Sequence, residues 1–160
     1  MTDEELLDAF PGVRIDADNA AWHRGLLERR LLVNRCDDCG RWHHPPRPLC
    51  PACWGRSITH TEVAGDGFVV LVTALRQGPP QPGVDYGDGG HALVAVELDE
   101  QPGLRLAGTV VGTPTAEIRV GDRVRALWRD IPGRLPRADF EIVAGAAGTG
   151  RVAGGEGASR

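Results

Sequence analysis

Apolar and polar residues alternate most cleanly over Arg123–Trp128, where Val124, Ala126 and Trp128 face one way and Arg123, Arg125 and Leu127 the other. A period of two marks a half-buried strand. The same period runs through His91–Leu98, with Ala92, Val94, Val96 and Leu98 on one face. Leu104–Val111 carries Leu106 and Val110, Gly67–Leu75 is a β-rich run around Phe68–Thr73, and Phe140–Val143 completes the set. Gly121-Asp122 reads as a turn, and Gly78–Gly90, crowded with Gly, Pro and Asp, as a loop. Five short strands with Gly-rich turns predict a small closed barrel rather than an open sheet.

The first thirty residues follow a helical period instead. Thr2 and Glu5 have the spacing of a capping box ahead of Leu6 and Leu7, predicting a helix to Phe10 that Pro11-Gly12 ends. Asp18 is the expected N-cap of a second helix reaching about Arg30. Trp22, Leu26 and Leu27 share one face of it, and Gly25 weakens it by about 1 kcal/mol relative to Ala. Leu31–Arg35 then reads as a strand, Arg41–Leu49 as a loop and Thr59–Val63 as a second strand. The expected organisation is a helical segment over 1–30, a ribbon over 31–63, a barrel over 64–143 and a disordered Gly/Ala-rich tail over 144–160.

All four cysteines lie inside the ribbon, as Cys36-Asp-Asp-Cys39 and Cys50-Pro-Ala-Cys53 separated by ten residues. Each C-x2-C turn aims two sulfurs at one point, and two such turns supply the four thiolates of a tetrahedral zinc site. Gly40 gives the first turn access to positive φ. Two disulfides, four buried thiols or a rubredoxin-type iron centre share the spacing; zinc is the expectation, with iron as the other metal for the same ligands. A site closed by four thiolates has no open position for substrate, so it reads as structural.

That assignment uses every cysteine, and little other chemistry is present. The serines, Ser57 and Ser159, lie outside any G-x-S-x-G elbow, and there is no G-x-G-x-x-G after a strand and no H-E-x-x-H. His43 and His44 read as neighbours of the metal or exposed loop residues, and His91 as a surface histidine. Glu97 and Asp99 share a strand face but read as a solvated strand end. The 18 basic residues are all Arg, so lysine Schiff-base chemistry is excluded. A net charge of −4 and only 5% aromatic residues argue against nucleic-acid binding, which calls for a basic groove with stacking platforms. No apolar run spans a bilayer, and the acidic N-terminus lacks a signal-peptide layout, so a cytoplasmic protein is expected.

The stretch Ala21-Trp22-His23-Arg24-Gly25-Leu26-Leu27 through Leu31-Leu32-Val33-Asn34-Arg35-Cys36 resembles the entry segment of the DUF35 proteins. Cys39-Gly40 followed by Pro45-Pro46-Arg47-Pro48-Leu49-Cys50-Pro51-Ala52-Cys53 is similar to their ribbon core. Gly65–Val69, the Ala95–Glu100 and Leu104–Gly108 pair, and Ile118–Val124 resemble their barrel motifs, so the likeness covers about residues 20–143. Trp54 departs from it, standing where Gly is common after the last cysteine.

The resemblance implies a mostly β chain with N-terminal helices, a rubredoxin-like zinc ribbon and a five-stranded OB-fold barrel. It also implies a non-catalytic accessory subunit of an acyl-CoA enzyme. The implied partners are thiolase-fold enzymes, including sterol-carrier-type retro-aldolases of steroid side-chain breakdown, or MaoC-like hydratases. On that reading Trp22 and Leu26 are candidates for partner contact, and Arg76 and Arg105 for coenzyme A phosphates. A single-stranded nucleic-acid binder is the alternative that ribbon and OB-fold also allow.

Overall fold

A computed structural model describes residues 2–10 and 12–147 of the chain. Helix α1 spans Asp3–Ala9, and the capping box is present: the Glu5 amide donates to Thr2 Oγ1 and the Thr2 amide to Glu5. Leu6 is fully buried. Helix α2 spans Ala20–Leu27, shorter at both ends than the sequence suggests. Asn19 takes the cap position without a side-chain cap bond, because its Oδ1 accepts from the Asp16 amide three residues back, while Asp16 Oδ1 accepts from the amides of Asp18 and Asn19. The helix stops where Arg29 turns left-handed, at φ 55°.

Gly25 has a packing reason to be in α2. A Cβ there would lie 2.8 Å from the Arg30 carbonyl oxygen and 2.9 Å from Leu32 Cγ. The missing side chain lets the helix fold back on the strand that follows. Trp22 and Leu26, the candidates for partner contact, pack against the molecule's own core. The Trp22 ring also lies 4.6 Å from that of His44.

The ribbon is a three-stranded antiparallel sheet in the order β2-β1-β3, from β1 (Leu31–Cys36), β2 (Trp42–His43) and β3 (Ile58–Val63). Strand β2 falls in the predicted loop. Its Asn34↔His43 and Arg35↔Trp42 pairs are supported from outside, by Gln101, which accepts from the Trp42 amide at 3.0 Å and donates to its carbonyl at 3.1 Å.

The second sheet has the order β6-β5-β4-β7-β8, from β4 (Gly67–Leu75), β5 (His91–Leu98), β6 (Arg105–Gly108), β7 (Asp122–Arg129) and β8 (Arg137–Ala147). The five strands are the predicted five, with two corrections. The barrel is not closed: β6 ends at Gly108, and the chain beyond it meets β8 through one parallel bridge, Val110↔Phe140. Around that bridge the Val111 amide donates to the Phe140 carbonyl and the Phe140 amide to the Thr109 carbonyl, both at 2.8 Å. Gly108 admits the Phe140 ring, since a Cβ there would lie 2.9 Å from it. The second correction is that β8 runs to Ala147, so the first four residues of the expected tail continue a strand; residues 148–160 lie outside the described residues.

Both sheets bury into one core. Leu31, Val33 and Val63 of the ribbon join Val69, Val94, Val96, Leu98, Leu106, Val124 and Phe140 of the second sheet. Gly65 is the tight junction between them, at φ 80°, its carbonyl accepting from the Ala126 amide at 3.0 Å. A Cβ on Gly65 would lie 2.4 Å from Ala126 Cβ.

Candidate metal centre

The two C-x2-C turns are built alike. In the first, the Cys36 amide donates to the Arg41 carbonyl and the Gly40 amide to the Cys36 carbonyl; in the second, Cys50 donates to Gly55 and Trp54 to Cys50. The residue four places after the leading cysteine is left-handed in both, Gly40 at φ 73° and Trp54 at φ 63°. Strand β1 delivers the first turn, and the Asp37 amide, bound to the Ser57 carbonyl, ties it to the approach to β3.

This geometry brings together all four predicted ligands. Their sulfurs lie within 4.8 Å of one another, with Cys36–Cys53 and Cys39–Cys50 each at 3.6 Å. That excludes disulfides, which need about 2.05 Å. It matches the edge of a tetrahedron of thiolates about 2.3 Å from a central ion, which is about 3.8 Å. The four residues fit a metal ion. Cys36 and Cys50 are buried and Cys39 and Cys53 exposed, so one edge of the site faces solvent.

The sulfurs are electrostatically unequal. The Ala52 amide, pointing at Cys50 Sγ from 3.5 Å, helps bring that thiol down to about 7. At Cys53 the Gly55 amide pulls the same way but loses to the sulfurs of Cys39 and Cys36, and the thiol is pushed up to about 12. Four thiols this close cannot all ionise without a cation among them, so binding must expel protons. As pH falls, protons compete with the metal for the ligands: the Cys53 thiol, pushed up to about 12, already holds its proton at neutral pH, and Cys50, near 7, adds its own below that. Apparent Zn2+ affinity, measured against a chromophoric chelator, should fall about tenfold or more between about pH 7.5 and about pH 6.

The remaining candidates do not converge on this centre. His43 is buried in β2 and His44 packs at a tilt against Trp22; burial pushes His43 down and His44 down to about 4, so both rings are neutral near pH 7. Glu97 pairs with Arg105 at 3.2 Å, and Asp99 pairs with Arg123, whose hydrogen bonds hold that carboxyl below its usual range. The two carboxylates are therefore separate ion-pair partners, not an acid–base pair. Arg76, exposed just past β4, lies at the His91 end of the sheet, whereas Arg105 pairs opposite Glu97. Six residues of β5 separate those positions, about 20 Å. The structure does not bring the two arginines together.

The Gly78–Gly90 loop carries no motif that assigns it a role. It walls a cleft of about 600 Å3 together with residues 109–116, His91 and Arg129. Thr115 Oγ1 donates to the Gly90 carbonyl and Tyr86 to the Pro79 carbonyl, which hold the loop in place. Asp139 was also missed: it is fully buried, with Arg129 at 3.2 Å and Arg137 at 2.8 Å.

Comparison with known proteins agrees with this architecture. Residues 23–59 match a family model described as ChsH2, rubredoxin-like zinc ribbon domain, and residues 60–129 one described as ChsH2, C-terminal OB-fold domain. The chain is 34% identical over 135 residues to a probable enoyl-CoA hydratase alpha subunit of Thermomonospora curvata, a match covering 84% of this chain. It spans only 40% of that relative's length. It is 28% identical over 111 residues to a DUF35 domain-containing scaffold protein of Methanocaldococcus jannaschii, covering 68% of this chain and 74% of that one. A solved chain described as Ltp2-ChsH2(DUF35) aldolase superposes with a TM-score of 0.70 at 32% identity, over 81% of this chain and 98% of that one. A DUF35 protein of unknown function from Sulfolobus solfataricus shares the fold at 15% identity, with a TM-score of 0.57 over 88% of this chain and 96% of that one. Among the described residues no helix is long and apolar enough to cross a membrane.

Proposed function

The chain belongs to the DUF35 family, and from that premise we propose that it is a non-catalytic accessory subunit of an enzyme acting on coenzyme A thioesters. The partner on this reading is a thiolase-fold enzyme, such as an aldolase, or a MaoC-like hydratase. The observation that carries it is the match over nearly the whole length of a chain described as part of an Ltp2-ChsH2(DUF35) aldolase. The enoyl-CoA hydratase alpha subunit supports the thioester class, although most of that relative lies outside the match. The metal on this reading is zinc, held by Cys36, Cys39, Cys50 and Cys53 in a structural role. All four cysteine sulfurs are gathered in that one cluster, so none stands apart as a nucleophile.

The test is affinity purification of the tagged full-length chain from its native host, with mass spectrometry of what accompanies it, followed by reconstitution from purified parts. We expect a thiolase-fold or hydratase subunit in near-equal amount. Recovery of nucleic acid instead, or of no acyl-CoA enzyme, would overturn the reading.

A further inference from the structure

The two metal turns contain an internal control. They share the same hydrogen bonds and the same left-handed fourth position, yet Gly40 fills it in one and Trp54 in the other. A left-handed conformation strains any side chain that carries a Cβ and suits glycine. Trp54 accepts that strain without packing in return, for it is 73% exposed, the most exposed of the large hydrophobic residues described. Among the described residues neither local conformation nor burial explains a tryptophan there, which points to a contact beyond them.

The surroundings indicate the kind of contact. Residues 48–55, Pro48 to Gly55, carry no formally charged side chain apart from the two metal-ligand cysteines. Pro48 and Pro51 stiffen this tip and the sulfur cluster staples it, so little entropy remains to be lost when it docks. Arg47 and Arg56 bracket it, both exposed, and neither forms an ion pair among the described residues. An indole on a rigid tip between two guanidinium forks that form no ion pair among the described residues has the make-up of a binding anchor, in which Trp and Arg predominate. Such forks seek carboxylates.

We propose that Trp54 is the anchor by which the ribbon docks on the enzyme partner, inserting into an apolar pocket edged by carboxylates. This rests on the accessory-subunit reading above. The test uses the zinc-loaded full chain, Trp54→Gly and Trp54→Phe, titrated against the purified acyl-CoA enzyme subunit that accompanies the wild-type chain. Trp54→Gly should raise Kd about 30-fold or more, the loss expected for a central tryptophan anchor, with Trp54→Phe in between. Metal content should not change, and the Trp54→Gly chain alone should melt at the same temperature or higher, because strain is relieved.

A structural role for Trp54 gives the opposite sign in the melt, so a Trp54→Gly chain that melts several degrees lower overturns the proposal. So does binding within about twofold of wild type, which leaves the accessory-subunit reading standing. If the wild-type chain binds no acyl-CoA enzyme subunit, that reading fails and the anchor with it. Trp54-dependent dimerisation in sedimentation, or Trp54-dependent retention of a single-stranded oligonucleotide, would mean the occupant is a second copy or a nucleic acid and would also overturn it.

Discussion

A Cys36→Ser chain is expected to purify without metal and with its ribbon unfolded. Cys36 ends β1 and is 1% exposed, so a serine hydroxyl there would be buried facing three thiols, with one soft ligand missing. Metal sites of this type contribute about 10–16 kcal/mol of apparent binding free energy at pH 7, which in a small ribbon is folding free energy. The ribbon has little else to fold around. Its buried hydrophobic residues are Leu31, Val33, Val63 and two of the cysteines themselves. The loss will not stay local, because Leu31, Val33 and Val63 are part of the core that the second sheet shares. The chain should therefore melt well below wild type, and a strong chelator should produce the same state from the wild-type protein. Elemental analysis gives the first readout, with one zinc per wild-type chain and close to none in the variant. Amide exchange gives the second, with protection lost across β1–β3. A metal-free Cys36→Ser chain that melts like wild type would show the cluster to be dispensable. A red wild-type protein with visible absorption would assign the site to iron.

The metal centre could be read from the sequence because its information is local. Two C-x2-C turns define the site by spacing alone, and the sulfurs gather at the four positions expected. Strands β5 and β7 were legible for a similar reason, since a period of two can be counted wherever one face is buried. What escaped depends on residues distant in sequence. Strand β2 is only two residues long and is held by Gln101, 59 positions away from Trp42. Gly25 looked like a weak point in a helix because the Arg30 carbonyl that crowds it is set there only by the fold. The barrel was expected to close because five strands with tight turns normally do, but β6 is four residues long and leaves only the Val110–Phe140 bridge to span the gap. Trp54 was visible as an odd residue after a cysteine, but its exposure and its φ, which make it informative, were not.

Asp139→Ala should lower stability by about 3 kcal/mol, a large loss for one polar side chain of the second sheet. Breaking a buried charge pair by removing one partner typically costs about 3–5 kcal/mol. The lower end applies because Arg129 and Arg137 are about a third exposed and water can partly screen them, whereas the carboxylate is fully buried. Three groups lose their acceptor together. Arg129 and Arg137 are cross-strand neighbours on β7 and β8, and without the carboxylate their like charges face each other uncompensated. The Thr109 amide loses its bond to Asp139 Oδ1, at 3.3 Å. Thr109 also belongs to the segment that pairs with Phe140, so the Asp139 side chain and the Phe140 backbone hold the same edge of the sheet from adjacent positions. The variant should thus lose amide protection at Val111 and Phe140 first, and urea titration should give the full free-energy change. Asp139→Asn keeps an acceptor for Thr109 but not the charge, so it should fall between wild type and alanine. A change within about 0.5 kcal/mol, typical of a surface position, would show that solvent and the two arginines rearrange freely around the site. Metal content distinguishes this lesion from the first. Asp139→Ala should still hold one zinc per chain, because no ligand is touched, yet the ribbon should melt earlier, because Leu31 and Val63 lose part of the core they pack on.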